Sequence, residues 1–204
     1  MSDENPQCTE QKIKEAARKV FIVKGFDGTT TRDIAEVAGI NQALTNYYFR
    51  SKEKLFRLIF EDIYREYFQE IFCIMVQPVE LRVKIPQLVE AHFSLFDQNP
   101  DLPLFLLSEM RRHPNLLTPA NYANKERPVF VFLRQLQQAA DEGQIRPVAP
   151  MHVLQLVMAN IQFMYLSRPI TMEISSLDEA AHTEFTRRHK DIVIDMLMNY
   201  LFIY

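Results

Sequence analysis

The stretch "GINQALTNYYFRSKEKL", residues 39–55, decides how this chain folds. A glycine opens it. Asn41, Gln42, Thr45 and Asn46 follow, then Tyr47, Tyr48 and Phe49, then Arg50, Lys52 and Lys54. An apolar core does not accept so many hydrogen-bonding groups without partners. A plain solvated face needs no run of three aromatics. Asn41 suits the N-cap of a short helix that would display these side chains. Just upstream, Thr30 followed by Asp33 fits a capping box, with Thr30 as N-cap and Asp33 at the third helical position. Ile34, Ala35, Val37 and Ala38 fill the helix behind it, and Gly39 ends it. Two short helices joined by a tight glycine turn form a helix-turn-helix, here over about residues 30–50. Before them, "EQKIKEAARKVFIVKG" repeats Ile13, Ala16, Ala17, Val20 and Phe21 at helical spacing, and Gly25 stops that helix.

A helix-turn-helix presents the N-terminal side chains of its second helix to base edges in the major groove. Gln and Asn pair bidentately with adenine, and Thr serves either base type. Tyr hydroxyls and Lys ammonium groups suit phosphate oxygens, which position a protein without reading sequence. A helix starting near Lys52 adds the positive end of its dipole to the same phosphates. The alternative from residue types alone is a polar helical hairpin with no nucleic-acid role.

The longer stretch "GFDGTTTRDIAEVAGINQALTNYYFRSKEKLF" resembles the N-terminal DNA-binding segment of the TetR family of transcriptional regulators. The matching positions are Gly25, Phe26, Thr29, Thr30, Ile34, Ala35, Ala38, Gly39, Tyr48, Phe49, Ser51, Lys52 and Leu55, and the resemblance covers roughly residues 10–60. Ile40 and Asn41 stand for the family's Val and Ser. Two departures matter. Asn46 occupies the place of the family's first Tyr, and Thr45 that of a buried aliphatic. Leu44 either takes over the core role or faces the groove and touches thymine methyls; both readings stand. The resemblance implies a phosphate contact at Lys52, supported by Thr30, with Tyr47 replacing the missing Tyr and with Tyr48 and Phe49 in the core. The residues expected to touch DNA are thus Thr30, Asn41, Gln42, Ala43, Leu44, Asn46, Tyr47 and Lys52.

Bulk properties agree with this expectation. The chain has 204 residues, 48% apolar and 24% charged, with only 4 glycines, a balance that favours helices. No apolar run approaches the ~18 residues of a membrane span, and the start "MSDENPQ" is no signal peptide. Cys8 and Cys73 are too few for a disulfide framework, which points to the cytoplasm, and neither has metal-ligand company. No metal and no cofactor is expected. The net charge of −3 is uneven: residues 1–57 hold ten Lys/Arg against eight Asp/Glu, a net +2, leaving −5 for the remainder. The N-terminal part is the better match for a polyanion.

From Lys52 to about Gln77 the periodicity predicts one helix, about 37 Å long. Further helical segments are read at roughly 80–97, 101–112, 120–141, 150–167 and 177–202, broken by "QNPDLP", "RHPNLLTP", "EGQIRP" and "SRPITMEISS". The expected fold is all-α with about nine helices. A three-helix helix-turn-helix head, residues 8–60, is joined by the long helix to a helical effector-binding and dimerisation domain, residues 61–204. The resemblance implies an internal ligand cavity and a dimer interface on the last two helices. Polar residues inside apolar helices mark the candidate pocket: His92, Glu109, Tyr122, Asn160 and Gln162, with Phe96 and Phe130 among its walls. An apolar or aromatic small molecule would suit it. The interface candidates are Met158, Ile161, Tyr165, Ile192, Val193, Met196, Leu197 and Tyr200, from rows at three-to-four spacing. The functional expectation is a homodimeric repressor that binds a double-stranded, near-palindromic operator. The alternatives are a helical enzyme, for which no phosphate loop, nucleophile elbow or His pair at metal spacing is present, and an interaction module without DNA binding.

Overall fold

Most helices end within a few residues of a glycine or a proline. The computed structural model describes residues 6–114 and 127–202 and has ten helices and no strand among them. They are α1 (Pro6–Gly28), α2 (Thr31–Ala38), α3 (Gln42–Tyr48), α4 (Lys52–Val76), α5 (Leu81–Gln98), α6 (Leu102–Arg112), α7 (Pro128–Asp141), α8 (Pro150–Leu166), α9 (Arg168–Ser175) and α10 (Glu179–Leu201). The helix beyond the expected nine is α9. It lies in "SRPITMEISS", which the proline and serines mark as a break. Pro169 sits in the first turn, where its missing N–H has no helical partner to lose, and Ser176 ends the helix in the left-handed region with φ 50°.

The described residues cluster into two units. The first holds residues up to 67 together with 104–114. Its core is built from Ile13, Ala17 and Phe21 of α1, Ile34 and Ala35 of α2, and Leu55, Phe56 and Ile59 of α4, all buried. Phe56 meets Phe21 edge-on with ring centroids 4.9 Å apart, and Phe105 of α6 approaches Phe56 and Phe60. Helix α1 is broken at Gly25, whose φ of 67° and ψ of −179° belong to glycine. Arg18 pairs with Glu66 at 2.6 Å, which holds the Glu66 carboxyl below its ordinary range.

The second unit holds 68–103 and the described residues from 127 onward. Helix α5 packs on α8 and α10, while α8 also packs on α7. Its core includes Ile85, Val89, Phe93 and Phe96 of α5, Phe132 and Leu136 of α7, Val157 and Ile161 of α8, and Val193 and Leu197 of α10. A buried cation ties this unit together. Lys84 donates to the Met75 carbonyl at 3.0 Å and to Gln135 Oε1 at 2.5 Å, and Gln135 Nε2 donates to the Val79 carbonyl at 2.7 Å. Burial pushes the Lys84 ammonium down from its ordinary range. Met75 lies in the last turn of α4, where a cation complements the free carbonyls.

Candidate nucleic-acid interface

The first unit builds a displayed helix from local rules. The Thr30 hydroxyl accepts from the Asp33 amide at 3.1 Å, and Asp33 Oδ2 accepts from the Thr30 amide at 2.7 Å, so the capping box is complete. Lys24 adds an ion pair to Asp33 at 2.8 Å; with the Thr30 bonds it holds that carboxyl well below the usual range. Gly39 closes α2 in the left-handed conformation, φ 67° and ψ 31°. Asn41 Oδ1 then accepts from the Ala43 amide at 2.9 Å and starts α3. Gln42 Nε2 donates to Thr31 Oγ1 at 3.1 Å, fastening the start of α3 to the start of α2.

Six of the seven residues from 41 to 47 are exposed: Asn41, Gln42, Ala43, Leu44, Asn46 and Tyr47, the last 77% exposed. Thr45 alone is buried, at 0%, and its hydroxyl has no partner. This settles the choice at Leu44. It is 42% exposed, so it does not replace the missing aliphatic; Thr45 occupies the core position despite its hydroxyl. Tyr48 and Phe49 are half-buried, and the Phe49 amide closes α3 on the Thr45 carbonyl at 2.9 Å.

Lys52 is placed differently from a residue devoted to phosphate. Its ammonium donates to the carbonyls of Phe26 and Thr29, each at 3.0 Å, and lies 4.2 Å from the centroid of the Phe26 ring. Two of its three donors are therefore engaged with the turn between α1 and α2. Arg32, Arg50 and Lys54, which the motif comparison did not single out, are exposed cations around the helix-turn-helix. Their signal in the sequence is positive charge alone.

The candidate pocket residues do not form one group. His92 and Phe96 are buried together in the second unit, their ring centroids 6.3 Å apart. His92 Nδ1 lies 2.6 Å from the Leu88 carbonyl, and burial pushes the imidazole down to about 4. Half-buried Asn160 donates to the Leu156 carbonyl at 2.7 Å within its own helix, and Gln162 is half-buried. Phe130 is 51% exposed and walls no interior. Glu109 belongs to the first unit, not the second. Tyr122 lies outside the described residues. A cleft of about 490 Å³ opens elsewhere in the second unit, between residues 78–82, Gln135, Gln138, Glu142 and Phe202.

The interface candidates divide by burial. Ile161, Tyr165, Val193 and Leu197 pack inside the protomer, and the Tyr165 hydroxyl lies 2.7 Å from Asp97 Oδ1. Ile192, Met196 and Tyr200 are exposed along α10, while Met158 is half-buried. Phe163 of α8, 69% exposed, is a large apolar residue absent from the expected set. The stripe was legible; its rotation was not, because both sides of α10 are apolar.

Comparison with known proteins agrees with this architecture. The family described as "Bacterial regulatory proteins, tetR family" matches residues 13–59. The chain is 28% identical over 173 residues to the "Probable HTH-type transcriptional regulator YttP" of Bacillus subtilis strain 168, covering 81% of this chain and 83% of that protein. It is 31% identical over 101 residues to the "HTH-type transcriptional repressor NicS" of Pseudomonas putida, covering 50% and 48%. A crystal structure of a TetR family transcription regulator from Marinobacter aquaeolei VT8 superposes with a TM-score of 0.70 at 18% identity, over 96% of each chain. Residues 13–59 thus carry the N-terminal domain of the tetR family of bacterial regulatory proteins, in a chain that shares its all-helical fold with a TetR family regulator.

Proposed function

We propose that the chain is a ligand-responsive repressor that acts in the cytoplasm as a homodimer on a near-palindromic operator. The observation that carries this reading is the exposed face of α3. Gln42, Ala43, Asn46 and Tyr47 are exposed on a helix whose start is fixed by the Asn41 cap and the Gln42–Thr31 bond. Gln42 keeps its Oε1 and one N–H for a base edge, the pair of groups that adenine recognition requires. Arg32, Arg50 and Lys54, with Thr30, Tyr47 and the remaining donor of Lys52, supply the phosphate contacts. The relative NicS is named a repressor, which favours that sign of regulation.

The exposed apolar residues Phe163, Ile192, Met196 and Tyr200 are the proposed meeting face of two copies. A dimer would present two α3 helices to half-sites about one DNA turn, roughly 34 Å, apart. An apolar or aromatic effector bound in the second unit would weaken DNA binding by preferring the state that fits the operator poorly. Fluorescence anisotropy with the DNA flanking the protein's own gene tests this reading. Saturable binding that survives competitor DNA supports it; binding no tighter than to scrambled duplex refutes it.

A further inference from the structure

Glu109 has an environment that neither the recognition helix nor a ligand pocket explains. It is 0% exposed on α6, and from residue 104 that helix clusters with the N-terminal unit. Its Oε1 accepts from the Phe26 amide at 3.1 Å, in the turn between α1 and α2. Its Oε2 is buried without a partner. Arg112 Nη1 lies 3.7 Å from Oε1 and 3.3 Å from Asp27 Oδ2, bridging α6 to the same turn. A Cβ on Gly25 would stand 2.8 Å from Oε1, and the φ of 67° at Gly25 disfavours any side chain. Glycine here leaves room for the carboxylate as well as permitting the bend.

We propose that Glu109 is a positioning residue for DNA recognition, which holds the Gly25–Phe26 turn so that α2 and α3 are presented in one fixed orientation. This rests on the reading of the chain as an operator-binding regulator. The backbone of Phe26 is held on both sides: its N–H by Glu109, its carbonyl by Lys52. Thr29 Oγ1 donates to the Gly25 carbonyl at 2.7 Å, so the turn is also closed internally. The next residue, Thr30, caps α2, and Thr31 carries the bond to Gln42 of α3. Every step from the carboxylate to the recognition helix is thus a direct bond or a single short helix. Simple packing does not need this group. A methionine would fill much the same volume without desolvating a carboxylate, but it gives the Phe26 N–H no oxygen acceptor.

The test compares Glu109→Met and Glu109→Gln with the wild type. A duplex selected by the wild-type protein from a randomised pool serves as operator, and a scrambled version as control. Losing a hydrogen bond to a charged group corresponds to roughly tenfold or more in binding. Glu109→Met should lose that factor on the selected duplex while binding the scrambled one as before. Glu109→Gln, which keeps a carbonyl oxygen for Phe26, should recover most of the loss. Amide exchange at Phe26 should quicken in Glu109→Met and stay slow in Glu109→Gln. A merely structural role would lower both affinities together, through the folded fraction. Equal losses on the two duplexes, or a Glu109→Met variant that selects like wild type, overturn the proposal. A wild type that enriches no duplex refutes the underlying reading instead, and does so before any variant is made.

Discussion

At the scale of single residues, α3 leaves six residues from 41 to 47 exposed and buries one, Thr45. The caps at Thr30 and Asn41 depend on side chains two or three positions from their partners, so the sequence carries them whole. The choice between Leu44 and Thr45 depends on how α3 is rolled against its neighbours, which local pattern does not encode. The outcome leaves a buried hydroxyl unpaired at Thr45. Replacing it by the similarly shaped valine should raise stability by about 1 kcal/mol, because an unsatisfied buried polar group costs roughly that much or more. Urea unfolding of Thr45→Val measures this, and an unchanged or lower midpoint contradicts it. His92 makes a second prediction. Its imidazole titrates at about 4 in the folded chain against an ordinary 6.5, because it is fully buried. The unfolded chain therefore takes up the proton first as pH falls. The stability from keeping His92 neutral is complete above pH 6.5 and is lost progressively down to pH 4, by about 3 kcal/mol in all. Melting between pH 5 and 6.5 should show this slope in the wild type and a flatter one in His92→Gln. An equal slope in both would assign the acid sensitivity to other groups.

At the scale of elements, most helix boundaries followed from glycine, proline and capping residues. The exceptions have physical causes. Helix α9 was hidden because proline and serine signal a break unless proline occupies a first turn. The partners of Lys52 and Glu109 were hidden because both reach the Gly25–Thr29 turn from positions 23 to 83 residues away in sequence. Long-range pairs of this kind leave no periodic trace. Glu109 stood out as a charged residue in an apolar helix, but the sequence could not say which unit it would enter. Lys52 now has a structural duty that can be separated from phosphate binding. Lys52→Met keeps the length of the side chain and removes its donors to Phe26 and Thr29. It should destabilise the chain by roughly 1–3 kcal/mol in urea unfolding without DNA present. A residue serving only phosphate would leave the urea midpoint where it was.

For the whole molecule, burial separates two sides of α10 that look alike in sequence. Leu197 is 0% exposed and Met196 is 39% exposed. Met196→Glu should yield a folded monomer in sedimentation, because the new charge is solvated in the free protomer and buried only between copies. Leu197→Glu should instead unfold the chain. A Met196→Glu variant that remains fully dimeric at micromolar concentration would remove this face from the interface. The central claim is that α3 reads DNA sequence. It is tested most directly by binding of wild-type protein and Gln42→Ala to a selected duplex and its scrambled form across a salt series. Wild type should prefer the selected duplex by on the order of 10³ or more. Gln42→Ala should cost about 1–3 kcal/mol on that duplex, little on the scrambled one, and leave the salt slope nearly unchanged, since a base contact releases no counterions. Equal affinity of the wild type for both duplexes would contradict the account.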